Sequence, residues 1–212
     1  MVEVIAIDGP AGSGKSSVSK EVARRLGFGY LDTGAAYRAL AWAKANGVVA
    51  DIHEAALADF DYQIALDPDN FWVKVGQVEV TDAIREPEVA LAVSAVAAVP
   101  DVRSFMKALT RRLVADSGLR GVVVEGRDIT TVVFPEAKNR LLLTASEEVR
   151  LRRRAGDLGS SDVASVSGQV LSRDAQDSKV VDFMTPAPGV TLIDSTNLDF
   201  EQTVSAVLEA LN

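Results

Sequence analysis

Apolar positions along the chain follow two rhythms. Short continuous runs stand at Val2–Asp8 (VEVIAID), Tyr30–Asp32, Val122–Val124, Leu141–Leu143 and Val190–Ile193. Such runs are the mark of strands buried on both faces, as in a parallel sheet. Between them the spacing turns helical. Gly14–Leu26 carries Val18, Val22, Ala23 and Leu26 and stops at Gly27 and Gly29, and Ala35–Ala45 closes on Asn46-Gly47. Phe200–Leu211 gives a last helix. Strand and helix alternating in this way predict an α/β fold with helices flanking a parallel sheet.

Two stretches break the alternation. Tyr62–Val80 alternates apolar and polar residues around the turn residues Asp67-Pro68-Asp69-Asn70, which predicts a small antiparallel hairpin inserted in the core. Gly156–Gly168 (GDLGSSDVASVSG) is rich in Gly, Ser and Asp and is expected to be a mobile surface segment. No internal repeat is present, so the 212 residues are expected to form a single domain, 1–212.

Composition narrows the chemistry by exclusion. There is no cysteine, which removes disulfides, thiolate metal sites and a cysteine nucleophile, and the single histidine, His53, rules out a multi-histidine metal centre. No apolar run approaches the ~18 residues of a membrane span, and the chain opens on a strand rather than a basic leader. The expectation is therefore a cytoplasmic protein with no membrane partner. A net charge of −8 argues against general nucleic-acid binding. Arginine nevertheless accounts for 15 of the 22 basic residues. Its rigid fork suits phosphate and carboxylate, although any single arginine can equally be a solvated surface charge.

One motif carries specific chemistry. Gly9-Pro10-Ala11-Gly12-Ser13-Gly14-Lys15-Ser16 fits G-x-x-x-x-G-K-[ST] and lies between a buried strand and a helix, where a P-loop must lie. The glycines let backbone N–H groups close around phosphates, and the helix N-terminus adds a favourable dipole. Lys15 is expected to reach the β- and γ-phosphates of ATP and the Ser16 hydroxyl to ligate Mg²⁺, with Ser17 next in the loop. The fold class is thus a P-loop NTPase-type parallel sheet. No Asn-Lys-x-Asp segment for guanine is present. Asp32-Thr33-Gly34 with Tyr37-Arg38, and Glu125-Gly126-Arg127-Asp128, end two other strands and are expected to share the ligand edge with the P-loop. With the arginine cluster Arg150, Arg152, Arg153 and Arg154 they suit phosphoryl transfer between two substrates.

The segments IAIDGPAGSGKSSVSKEVARRLGF, YLDTGAAYRALA, AVSAVAAVPDVR, VVVEGRDITTVVFP and LIDST resemble the bacterial cytidylate kinase family in order and spacing, over nearly the whole chain. The resemblance implies transfer of phosphoryl from ATP to CMP or dCMP with Mg²⁺. It implies that Lys15, Glu125, Arg127 and Arg153 serve the transfer and that Thr33, Arg38 and Arg127 bind the acceptor near its phosphate. It places Ser94, Arg103 and Asp128 around the cytosine, with Arg173 and Asp177 near the ribose and phosphate. Residues 60–85 correspond to the family's monophosphate-binding insertion and 153–172 to its lid. The family's Ser-x-Arg after Asp177 reads Ser178-Lys179-Val180 here, so Val180 stands where an arginine is usual. Lys179 offers charge without the fork.

Each residue also has a plainer reading. Thr33 or Asp128 can be a helix N-cap, Ser94 a packing contact, Arg152-Arg153-Arg154 a solvated face, and His53 a surface residue in a helix. Trp42 reads as core, and Trp72 as either core or base-stacking. The competing functions are a P-loop kinase for another small acceptor and a nucleotide-binding module without catalysis. Nothing in the sequence demands more than a monomer.

Overall fold

The computed structural model describes residues 2–157, 168, 171, 174–178 and 181–211. Five parallel strands form the main sheet: β1 (Glu3–Asp8), β2 (Gly29–Asp32), β6 (Gly121–Gly126), β7 (Asn139–Thr144) and β8 (Thr191–Asp194). Their order is β2-β6-β1-β7-β8, so β1 is central, with Ile5 opposite Val123 on one side and Asn139 on the other. Alternation along the strands sends successive side chains to opposite faces. Ile5, Ile7, Tyr30, Val123 and Leu143 pack under α1 (Lys15–Leu26) and the closing helix Phe200–Glu209. Ala6, Leu31, Val122 and Val124 face α2 (Thr33–Ala45), α4 (Pro87–Ala97) and α5 (Pro100–Ala115). Both faces are covered, as an all-parallel sheet requires.

Helix ends follow the local chemistry. α1 stops at Gly27, which takes φ +64°, with its N–H bonded back to the last turn. α2 begins two residues before the expected Ala35 because Asp32, at the end of β2, accepts a hydrogen bond from the Ala35 amide at 3.1 Å. Thr33 is therefore inside the helix and is not its cap. The closing helix carries a reciprocal cap between Asp199 and Gln202. His53 precedes the one-turn helix α3 (Glu54–Leu57) with an exposed side chain.

The expected hairpin is a three-stranded antiparallel sheet of β3 (Tyr62–Ile64), β4 (Val73–Val75) and β5 (Val78–Glu79). Val73 and Val75 plug the α2 side of the core, and β4 turns into β5 through Gly76 at φ +56°. Trp42 packs partly buried against the same core, while Trp72 takes the Lys74 ammonium over its ring at 4.9 Å. After β7, α6 (Glu147–Asp157) runs back over the P-loop. Of the segment 153–172 expected as a lid, residues 158–167, 169, 170 and 172 lie outside the described residues. So do Arg173, Lys179 and Val180. No single helix among the described residues is long and apolar enough to cross a membrane.

Candidate active site

The C-terminal ends of β1, β2 and β6 meet at a cleft of about 690 Å³, and open α/β sheets bind ligands outside the carboxyl ends of their strands. Gly9–Ser16 wraps one wall. Two glycines are fixed here by close approach. A Cβ on Gly9 would stand 2.1 Å from the Leu143 carbonyl oxygen, and one on Gly12, at φ +74°, 2.3 Å from that of Arg150. The loop is thus pressed between β7 and α6. Ala11, Gly12, Gly14, Lys15, Ser16 and Ser17 line the cleft, while Gly9, Pro10 and Ser13 shape the loop from behind it. Ser13 Oγ is buried with no partner among the described residues.

Lys15 Nζ donates to the Pro10 carbonyl at 3.4 Å and stands 4.0 Å from Glu125 Oε2. Glu125, at the end of β6, is 1 % exposed, and its Oε1 accepts from the Tyr30 hydroxyl at 2.6 Å. Burial and the neighbouring Asp32 push the Glu125 carboxyl up, against the pull of Lys15 and hydrogen bonds from Ser16 and Tyr30. Burial also raises Asp32, but the Arg38 guanidinium outweighs it and holds Asp32 below the usual range. Arg38 Nη2 donates to Asp32 Oδ2 at 2.6 Å. Two carboxylates and two cations are therefore interleaved at the mouth of the P-loop.

On the opposite wall Thr33 Oγ1 donates to the Glu125 carbonyl at 2.8 Å, which fixes the start of α2 to the end of β6. Arg103 Nη2 donates to Asp128 Oδ2 at 2.8 Å. Burial pushes the Asp128 carboxyl up and Arg103 opposes it. Asp128 stands at the N-cap position of a single π-turn, Ile129–Val133, yet its side chain makes no capping bond and faces Arg103 instead. Ser94 Oγ donates to Asp177 Oδ1 at 3.2 Å, so its hydroxyl has a polar partner and is more than a packing contact. Behind the Arg103–Asp128 pair lies a second cavity of about 480 Å³, walled by Met106, Lys107, Val132 and Val133.

Asp8 anchors the turn that carries Asp128. It is 2 % exposed and accepts from the Ile129 amide at 2.9 Å, the Thr130 amide at 2.8 Å and the Thr130 hydroxyl at 2.6 Å. Burial still pushes its pKa up to about 6 from 3.8. A carboxyl whose folded pKa is raised binds its proton more tightly in the folded state. Its contribution to stability is therefore most favourable below pH 4 and is lost as pH rises from about 4 to 6, by roughly 3 kcal/mol at most. Urea unfolding of the wild type and Asp8→Asn across that window tests this. Wild-type stability relative to the variant is expected to fall with rising pH, and a flat difference contradicts the raised pKa.

The arginines divide in a way their sequence does not announce. Arg127 Nη2 donates to Asp174 Oδ1 at 2.8 Å, Nη1 donates to the Gly9 carbonyl at 3.3 Å, and the group stacks over Phe183 at 4.1 Å. Arg150, 3 % exposed, binds Asp174 Oδ2 at 2.7 Å and the Ala11 carbonyl at 2.9 Å. Arg153, expected to serve the reacting phosphoryl group, reaches the P-loop from α6, its Nη1 donating to the Ser13 carbonyl at 3.4 Å. The same guanidinium donates to Ser195 Oγ (2.9 Å), the Ser195 carbonyl (2.9 Å) and the Leu198 carbonyl (3.1 Å), which joins α6 to the loop after β8 as well as to the P-loop. Arg154, not Arg153, lines the cleft. Arg152 is exposed. Asp174 is the site residue that sequence reasoning missed, since only the fold brings its two arginines together.

The family model described as Cytidylate kinase matches residues 5–212. The chain is 43 % identical over 212 residues to a cytidylate kinase of Cutibacterium acnes, covering 97 % of this chain and 94 % of that one. It is 39 % identical to a cytidylate kinase of Desulfitobacterium hafniense, covering 98 % and 92 %. Among solved structures the fold is similar to shikimate kinase from Bacteroides thetaiotaomicron, at TM-score 0.51 and 12 % identity, covering 99 % and 96 %. An uncharacterized protein from Eubacterium ventriosum matches at TM-score 0.54 and 12 % identity, covering 98 % and 96 %.

Proposed function

The chain belongs to the cytidylate kinase family, and on that premise we propose that it transfers the γ-phosphoryl group of ATP to CMP or dCMP, giving ADP and the diphosphate. The observation that carries this reading is one cleft lined both by the P-loop, with Lys15 and Ser16, and by Arg38, Arg127 and the Arg103–Asp128 pair. An acceptor phosphate oxygen attacks the γ-phosphorus, the bond to the β-phosphate oxygen breaks, and ADP leaves. A phosphate monoester has its second pKa near 6, so the acceptor is already dianionic at about pH 7 and needs no general base. Glu125 is accordingly an orienting carboxylate. The remaining work is positioning and charge stabilisation.

Lys15 swings from the Pro10 carbonyl to the β- and γ-phosphates. Arg38, Arg127 and Thr33 hold the acceptor phosphate, and Arg154 is placed to approach the transferred group. Asp128 accepts from the exocyclic amino group of cytosine, where uracil offers an acceptor instead, with Arg103 and Ser94 beside it. Asp177, which lines the same cleft, serves the sugar side of the acceptor. No cluster of three or more His, Asp or Glu able to hold a metal exists among the described residues. The oxygens at the P-loop mouth, the Ser16 hydroxyl and the Glu125 carboxylate that line the cleft, would suit Mg²⁺ brought in on ATP phosphates, since that ion asks for only one or two protein oxygens. When bound, Mg²⁺ neutralises phosphate charge.

Closure of the insertion, 60–85, over both nucleotides keeps water from the γ-phosphoryl group, and unchanged hydrogen exchange there with ATP and CMP bound would contradict it. The protein acts as a cytoplasmic monomer on small nucleotides, without nucleic acid or membrane. A coupled assay of ADP release with ATP, Mg²⁺ and CMP, dCMP, UMP or AMP tests the reading. Selective turnover of CMP or dCMP is expected. ATP binding without turnover of any of the four would point to the non-catalytic module or to a kinase for another small acceptor.

A further inference from the structure

Asp174 takes no part in the transfer scheme above, yet it is 7 % exposed and joined to three elements. Oδ1 accepts from Arg127 Nη2 at 2.8 Å and from the Ala11 amide at 3.4 Å, and Oδ2 accepts from Arg150 Nη1 at 2.7 Å. Each arginine uses a second contact to grip a P-loop carbonyl, Gly9 for Arg127 and Ala11 for Arg150. One carboxylate therefore sits between two guanidinium groups, and both groups are stitched to the loop. Without that carboxylate two like charges would face each other in a nearly dry space, where their repulsion is little screened. Arg127, at 18 % side-chain exposure, is the freer of the two, since Arg150 is 4 % exposed. It would be the one to move. Asp177 lies farther from Arg127, at 3.4 Å, and is shared with Ser94, so it does not replace this hold.

We propose that Asp174 is a positioning residue that fixes the Arg127 guanidinium beside the P-loop and, through Arg150, makes that placement depend on α6 being packed against Gly12. The proposal rests on the kinase reading, in which Arg127 meets the acceptor phosphate. Charge placed to within a fraction of an ångström stabilises the transition state, whereas the same charge free to wander does so far less.

A double-mutant cycle tests it, read as kcat and KM with ATP and CMP. Asp174→Asn is expected to lower kcat about 30-fold, with KM for ATP changed less than about threefold. Arg127→Ala is expected to lower kcat about 300-fold. If Asp174 acts through Arg127, the double variant stays within about threefold of Arg127→Ala, whereas independent effects would multiply to about 10,000-fold. A purely structural Asp174 would lower thermal stability and active fraction equally in both backgrounds. Losses that multiply, or an Asp174→Asn kcat within about twofold of wild type, overturn the proposal. Should Asp174→Asn fail to fold, Asp174→Glu keeps the charge but shifts it by one methylene. It enters the same cycle with the same non-additivity expected, and multiplying losses again overturn it. A wild type that turns over no CMP overturns the kinase reading and this proposal with it. CMP turnover that is indifferent to Asp174 overturns this proposal alone.

Discussion

Replacing Lys15 by alanine is expected to lower kcat about a thousand-fold while the protein stays folded. Two effects combine. The direct loss is a cation at the β- and γ-phosphates, in a cleft where water is scarce once both substrates are bound. The indirect loss falls on Glu125, whose Oε2 lies 4.0 Å from Lys15 Nζ. With that cation gone, burial and Asp32 act on Glu125 against only Tyr30 and Ser16, so its proton is held more tightly. A protonated Glu125 no longer offers an anionic oxygen beside Ser16. Lys15→Arg is expected to rescue poorly, because the planar fork cannot follow the short path between the Pro10 carbonyl and the phosphates. Single-turnover kinetics at saturating ATP, with calorimetry for ATP binding, separate the loss of transfer from the loss of affinity. A kcat within tenfold of wild type would remove Lys15 from the chemistry.

Asp128→Ala is expected to lower kcat/KM for CMP about 100-fold and for UMP only a few-fold, so that discrimination between the two bases collapses. The loss has two parts. The amino group of cytosine loses its acceptor, and Arg103 loses the carboxylate 2.8 Å away that fixes its direction. Asp128→Asn sharpens the test. Its amide NH₂ can donate to the uracil O4, so UMP turnover is expected to rise in absolute terms while CMP turnover falls. Parallel measurement of kcat/KM for CMP, dCMP and UMP in the three proteins decides it. Selectivity equal to wild type in both variants would mean that the base is read elsewhere. The Asp8 carboxyl lends this test a further handle, because it holds the two amides that follow Asp128.

What the sequence makes legible is whatever a short window contains. The P-loop reads directly because strand, loop and helix are contiguous. β1, β6 and β7 read because strands buried on both faces are continuous apolar runs. The start of α2 is misjudged by two residues because Asp32 and Thr33 can each cap a helix, and only the Asp32 bond to the Ala35 amide decides between them. Asp174 is out of reach for a different reason. Its partners Arg127 and Arg150 stand 47 and 24 residues away, and nothing local says that one carboxylate will hold both. The arginine run 152–154 shows the same limit within a single helix. Successive residues point about 100° apart, so helix phase sends Arg153 to Ser195 while Arg154 lines the cleft and Arg152 stays in solvent. Composition marks the cluster as cationic but cannot assign directions within it.

The placement of β1 at the centre of the sheet also governs how the chain acquires its fold. β1 and β2 are separated by a single helix, yet they do not pair. β6 lies between them, with Glu3 opposite Gly121 and Gly29 opposite Val122. The first third of the molecule thus emerges from synthesis with its central strand unpaired and its P-loop unsupported, awaiting partners more than a hundred residues downstream. Pairing across so long a sequence separation is expected to come later than the local helices, because the loop-closure entropy is met before the strand contacts repay it. The nucleotide cleft, which borrows from β1, β2 and β6 together, cannot exist in part. It is absent from any shorter piece ending before Gly121 and arrives whole when that strand slides in.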